Sequence, residues 1–139
     1  MITAVIPTYH GRDRLARNLD SVALSLEASG EAWEIVVVDD GGGDLGPLAA
    51  ETRVLKLEHN SGYGPAVNAG VRVARGDHLL VLNDDVRLER DCVGTLRKRF
   101  PGAAWSKVSS TVHPGATPVT TATDVVAERV SKPRLAVRT

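Results

Sequence analysis

Glu34-Ile35-Val36-Val37-Val38-Asp39-Asp40-Gly41-Gly42-Gly43 is the stretch on which the fold turns. Four β-branched residues in succession suit a strand buried on both faces, as in a parallel sheet covered by helices. Two carboxylates end the run, and three glycines force a loop. Upstream, Ile2–Ile6 has the same character and is expected to stop at Pro7. Between the two runs, Leu15, Leu19, Val22 and Leu26 recur at spacings of four, three and four. That is one face of a helix over Arg12–Ser29, ended by Gly30. Downstream, Arg53–Leu57 alternates like a third, more exposed strand. Gly64-Pro65 then opens a short helix, since proline suits the first turn. His78–Leu82 reads as a fourth strand ending in Asn83-Asp84-Asp85, and Asp91–Phe100 as a helix closed by Pro101-Gly102. Strands alternating with helices indicate an α/β fold with a mostly parallel sheet.

The chain has 139 residues, which bounds it to one domain. Lys+Arg and Asp+Glu both number 17, so no excess of positive charge points to nucleic acid or an anionic membrane surface. A single cysteine, Cys92, excludes an internal disulfide and fits a reducing compartment. No apolar run has the length of a membrane span and the start lacks a signal-peptide layout, so a cytoplasmic protein is expected. From Ala103 to Asp124, 12 of the 22 residues are Ala, Ser or Thr. Residues 1–102 are therefore expected to form the patterned core, with 103–139 an extension of the same domain. Gly41-Gly42-Gly43 matches neither a P-loop nor a dinucleotide fingerprint, which argues against ATP hydrolysis and NAD binding.

In open α/β sheets, ligands bind beyond the carboxyl ends of the strands, where the strand order switches. Polar residues gather at those ends here: Thr8, Tyr9 and His10 after the first strand, Asp39-Asp40 after the second, Asn83-Asp84-Asp85 after the fourth. Each group alone is an ordinary turn composition. Three at one end of one sheet point to a site.

Val5-Ile6-Pro7-Thr8-Tyr9 followed by Val36-Val37-Val38-Asp39-Asp40-Gly41 resembles the opening of family 2 glycosyltransferases of the GT-A fold. The resemblance continues through Asn60-Ser61-Gly62-Tyr63-Gly64, Asn68-Ala69-Gly70, Ala74-Arg75-Gly76-Asp77 and Leu82-Asn83-Asp84-Asp85-Val86, over roughly the first 100 residues. The Asn-x-Asp form of the last motif looks most like the branch with rhamnosyltransferase-like enzymes. The resemblance implies a Rossmann-like nucleotide-diphospho-sugar transferase fold, here short or truncated, because the family's catalytic domain runs well past this chain's length. It implies a nucleoside-diphosphate sugar as donor, an unspecified acceptor, and Mn²⁺ or Mg²⁺ as cofactor. Nucleotide contacts fall on Pro7, Thr8, Tyr9, Asp39, Asp40, Asn68 and Asp84. Metal ligation falls on Asp85 with Asn83. A carboxylate can accept from an imide N–H or a ribose hydroxyl, and an aromatic ring such as Tyr9 can stack on a base. A divalent cation between carboxylates and diphosphate removes their repulsion, and needs only one or two carboxylates.

Two departures from the family pattern bear on activity. Many relatives place Arg immediately before the residue that Asn68 matches, where this chain has Val67. An inverting enzyme also needs a base across the sugar from the leaving group. Glu89 and Asp91 stand too near the metal motif, which leaves Asp124, four residues before Glu128, as the candidate. The chain therefore reads as a metal-dependent glycosyltransferase. The alternative is a catalytically incomplete nucleotide-sugar-binding module that needs a partner or a further C-terminal part. A nucleotidyltransferase is disfavoured, since no Gly-rich loop with a Lys follows the first strand. A four-stranded core would leave strand edges open, so Ala103–Val112 is expected to pair across a homodimer interface. The competing expectation is that 103–139 folds back onto its own sheet. Gly70, costly within a helix, is expected to permit close helix–sheet packing.

Overall fold

The computed structural model describes residues 1–49 and 51–99, together with the backbone of two short strands at 105–108 and 126–128. In chain order the elements are β1 (Ile2–Thr8), α1 (Arg12–Ala28), β2 (Trp33–Asp39), β3 (Thr52–Lys56), α2 (Tyr63–Val73), β4 (His78–Leu82), α3 (Cys92–Arg99), β5 (Trp105–Val108) and β6 (Val126–Glu128). The strands form one sheet in the order β3-β2-β1-β4-β5-β6. All neighbours run parallel except β5 and β6. The order reverses between β1 and β4, which makes that seam the switch point.

Each helix covers the face its apolar period selects. Leu15, Leu19, Val22 and Leu26 of α1 join Val93 and Leu96 of α3 over Ile2, Ala4, Ile6, Ile35 and Val37. On the other face, Ala66 of α2 packs on Val5, Val36 and Val38. Consecutive strand residues thus enter opposite cores, and β1 is buried along its whole length. That burial explains the unbroken β-branched runs. Ser25 Oγ of α1 accepts the Val93 N–H of α3 at 3.2 Å, and Ser21 Oγ accepts the Leu88 N–H of the segment before α3 at 3.1 Å. The free Cys92 is half-buried against the larger core, and burial, with Asp91 and Glu89 nearby, pushes its thiol pKa up.

Two expectations need correction. Pro7 does not end β1: Pro7 pairs with Val38 and Thr8 with Asp39. Ile2 donates to Ala32 and Thr8 accepts from Asp40, so even-numbered residues of β1 bond toward β2. Met1 accepts from His78, so odd-numbered residues bond toward β4. Pro7 therefore directs its missing N–H to the β4 side, where pairing has already finished at Val5 and Val81. No ladder bond is lost, and proline is tolerated. The second correction concerns the pairing expected within Ala103–Val112. Trp105–Val108, within the segment expected to pair with another chain, instead lies along β4 of its own chain as β5, with β6 outside it. β4 and β5 are thus both paired on each side within the chain.

Gly70 of α2 lies directly over the sheet. A Cβ added there would sit 2.5 Å from Val5 Cγ1 and 2.8 Å from Val38 Cγ2. Both methyls belong to buried, β-branched side chains with little freedom to move. Gly70→Ala gains about 1 kcal/mol of helix propensity but meets an overpacking cost of about 1–3 kcal/mol. We expect a net loss of stability, read as a lowered urea midpoint. An unchanged or raised midpoint would show that α2 lifts off the sheet without cost.

Candidate nucleotide-binding cleft

Beyond Val5 and Val81, β1 and β4 no longer pair, and a cleft of about 600 Å³ opens at their carboxyl ends. Its floor and walls include Pro7, Thr8 and Tyr9 from β1 and the loop after it. Asp40 comes from the end of β2, and Asn83, Asp84 and Asp85 from the end of β4. Gly62, Tyr63 and Ala66 bring the first turn of α2 to the same space. A helix N-terminus carries partial positive charge, which suits an anionic ligand.

The three cleft carboxylates stand in different surroundings. Asp40 is buried and fixes the loop before α2: Oδ1 accepts from the Ser61 N–H at 2.8 Å and the Ser61 hydroxyl at 2.6 Å, and Oδ2 from the Gly62 N–H at 2.9 Å. Oδ2 keeps a lone pair for a ligand donor. Asp84 is clamped. Thr8 Oγ1 donates to its Oδ2 at 2.6 Å, while Arg14 Nε and Nη2 donate to Oδ1 and Oδ2 at 3.1 and 3.2 Å. Asp85 is exposed and makes no hydrogen bond or ion pair with the described residues. It is the motif carboxylate left available.

The loop after β1 has little room. His10 adopts a left-handed φ of 52°, and its ring lies 4.2 Å from that of Tyr9. At Gly11, any Cβ would collide with the Thr8 hydroxyl and the Asp84 carboxylate, so glycine is required for those two groups to meet. Tyr9 and Tyr63 are each 44% exposed, placing two aromatic rings at the cleft. Burial of its hydroxyl environment raises the Tyr63 pKa.

A family model described as Glycosyl transferase family 2 matches residues 3–103. The chain belongs to glycosyl transferase family 2. The succinoglycan biosynthesis protein ExoO of Rhizobium meliloti (strain 1021) is 33% identical over 108 residues, covering 73% of this chain and 30% of that protein. An undecaprenyl-phosphate 4-deoxy-4-formamido-L-arabinose transferase of Salmonella paratyphi B is 25% identical over 134 residues, or 80% of this chain and 41% of that protein. The chain thus spans well under half the length of these curated relatives. Among solved structures, S. aureus TarS 1-349 superposes with a TM-score of 0.60 at 22% identity, covering 72% of this chain and 32% of that one. The same region in complex with UDP-GlcNAc gives 0.60 at 23% identity. The fold is the Rossmann-like GT-A fold.

Of the family 2 positions singled out in the sequence, the cleft gathers Pro7, Thr8, Tyr9, Asp40, Asn83, Asp84 and Asp85. Asp39 and Asn68 are not on its surface. Asp39 is buried behind the strand end, and its Oδ1 accepts the Gly42 N–H at 2.8 Å. Asn68 is buried within α2. Asp124 lies outside the described residues. Arg14 and Tyr63 line the cleft without having been singled out as site residues. Tyr63 was signalled by its flanking glycines. Arg14 had no signal, because a basic residue in the first turn of an amphipathic helix looks like solvated surface.

The chemistry of the donor set fits a hard divalent cation at Asp85. Its carboxylate is unpaired, and the Asn83 amide adds a neutral oxygen on the same cleft. No group of three or more His, Cys, Asp or Glu side chains that could hold a metal occurs among the described residues. Mg²⁺ and Mn²⁺ do not need one when phosphate oxygens and water complete the shell.

Proposed function

We propose that the chain supplies the donor-binding part of a metal-dependent glycosyltransferase that moves a sugar from a nucleoside diphosphate to an acceptor. One observation carries this reading: the free carboxylate of Asp85, the buried Asp40 and the ring of Tyr9 share one cleft at the β1/β4 switch point. Tyr9 offers a face for the base, and Asp40 Oδ2 an acceptor for a nucleoside donor group. Asp39 supports the loop at Gly42 by accepting its N–H. Asp85 and Asn83 would hold the cation, whose charge stabilises the diphosphate as it departs. Residues 63–66 aim a helix N-terminus at the same anion. The half-buried free thiol of Cys92 agrees with the cytoplasmic location proposed for such a protein.

A second reading rests on the state of the carboxylates. Asp40 and Asp84 already accept hydrogen bonds, and Asp85 is assigned to the cation. Among the described residues of the cleft none is then left to deprotonate an acceptor hydroxyl. Either Asp124 serves as that base, or the chain binds donor without transferring it. Assaying sugar transfer against donor binding separates the two.

The reading is tested by calorimetry with UDP-, GDP- and TDP-sugars, with and without Mn²⁺. We expect one donor series to bind, and Mn²⁺ to tighten it at least tenfold. Asp85→Ala should retain the weak, metal-independent binding and lose the Mn²⁺ enhancement. Binding of no donor by the parent would refute the reading; Mn²⁺ enhancement persisting in Asp85→Ala would move the cation elsewhere.

A further inference from the structure

Asp40, Asp84 and Asp85 give the cleft three negative charges, and among its described lining residues only Arg14 is a cation that faces them. The guanidinium is unevenly used. Nε and Nη2 form a fork on Asp84 at 3.1 and 3.2 Å, and Nη2 also stands 3.5 Å from the Tyr9 carbonyl oxygen. Nη1 makes no hydrogen bond to a described residue, and the side chain is 47% exposed on the cleft wall. We infer that Arg14 is the anion-positioning residue of the cleft, holding Asp84 with one edge of its guanidinium and offering Nη1 to the donor diphosphate. This rests on the donor-binding reading above.

Three properties of the site support it. A guanidinium carries five N–H donors in a rigid plane, so a fork on one carboxylate leaves the Nη1 pair oriented for a second oxyanion. The acceptor of the fork is itself fixed. Thr8 Oγ1 donates at 2.6 Å to the same Asp84 Oδ2 that Nη2 contacts, and Asn18 Nδ2 reaches the Asp84 backbone carbonyl oxygen at 3.4 Å. This arginine is therefore pre-organised in a way that an ordinary surface side chain is not, and an ordered donor loses less entropy on binding. The charge is also permanent, since the hydrogen bond and charge of Asp84, outweighing partial burial, and the charge of Asp85 raise the arginine pKa further. With Asp84 neutralised by the fork, the approaching anion meets fewer uncompensated carboxylates. A lysine would keep the charge and lose the fork, because an ammonium cannot hold a carboxylate and a phosphate in one plane.

Binding of nucleoside and of nucleoside diphosphate, compared by calorimetry at fixed Mn²⁺, tests this. The probes are uridine and UDP, guanosine and GDP, and thymidine and TDP, using the pair that the parent binds. Arg14→Met should weaken the diphosphate at least tenfold and leave the nucleoside within twofold, with a shallower salt dependence. Arg14→Lys should fall between Met and the parent for the diphosphate only. An equal loss for nucleoside and diphosphate would mean that Arg14 only shapes the loop, and unchanged diphosphate binding would remove it from the anion site. Each result overturns the inference. Should Arg14→Met not fold, Arg14→Lys decides by the same comparison. A parent that binds no nucleoside diphosphate refutes the donor reading itself. Failure of Arg14 alone leaves the parent's binding intact, so the two failures are distinguishable.

Discussion

Asp40→Ala is expected to abolish most nucleoside binding, by at least tenfold, and to lower stability by about 2 kcal/mol at neutral pH. The carboxylate accepts three hydrogen bonds, two of them from the backbone N–H groups of Ser61 and Gly62. Those residues set the path of the chain into α2, where Gly62 stands at a φ of 92° before the first helical turn. Alanine leaves the Ser61 N–H to water and the Gly62 N–H with only Asn60 Oδ1 at 3.0 Å, and it frees the loop that forms one wall of the cleft. Because the loop is partly exposed, water recovers some of the loss, which keeps the stability effect moderate. The binding effect is larger, since both the acceptor and the wall are removed together. Asp40→Asn separates the two contributions: Oδ1 still serves Ser61, while the amide nitrogen cannot accept from Gly62. Calorimetry with nucleoside and urea unfolding read both quantities, and parental affinity in Asp40→Ala would place the nucleoside elsewhere.

The second large effect is expected at the opposite end of the strands. Glu34 is buried at the start of β2, about 16 Å from Asp39 by strand rise. Its Oε1 accepts from the Thr3 hydroxyl at 2.8 Å and the Arg75 N–H at 2.7 Å. Oε2 pairs with Arg53 Nη2 at 3.1 Å. Thr3 Oγ1 in turn accepts the Gly76 N–H at 2.8 Å, and Arg53 Nη2 donates to the Val73 carbonyl at 2.7 Å. One carboxylate thus joins β1, β2, β3 and the turn before β4. Burial alone would raise its pKa, but the Arg75 N–H, the Thr3 hydroxyl and the Arg53 charge outweigh burial and hold it below 4.5. A carboxyl whose folded pKa is depressed adds stability that is present above the unfolded value. That stability is lost as pH falls through the folded value. The parent should accordingly lose stability below about pH 4.5. Glu34→Gln should show a flatter acid limb, and Glu34→Ala should cost about 3 kcal/mol at pH 7 while donor binding stays intact. Identical acid limbs in parent and Glu34→Gln would show that other carboxylates govern acid unfolding.

Much of this fold is legible in the sequence alone. The β-branched runs of β1 and β2, the leucine spacing of α1 and the glycines at 41–43 and 70 all express local demands. A strand buried on both faces must be apolar at every position, a covering helix at every third or fourth, and a close approach needs no Cβ. Strand ends follow from the same patterns, so the sequence alone brings Asp39-Asp40 and Asn83-Asp84-Asp85 to one edge of a sheet. Pro7 shows where local reasoning stops. Whether a missing N–H matters depends on which neighbour that residue faces, and β4 stops pairing before Pro7 only in the assembled sheet.

The division of labour among the carboxylates was decided by tertiary structure. Asp39 and Asp40 are adjacent in sequence, yet only Asp40 reaches the cleft, while Asp39 turns to the Gly42 N–H behind it. Asp84 and Asp85 are equally alike on paper. Arg14 and Thr8 come from 70 and 76 residues away to clamp the first, and leave the second open. No periodicity encodes such a pairing, because it exists only once β1 and β4 lie side by side at the switch point. The sequence by itself therefore determined the elements, their alternation and the edge where the carboxylates collect. The strand order, by setting which distant side chains meet across the β1/β4 seam, decided which carboxylate is locked and which is free to bind.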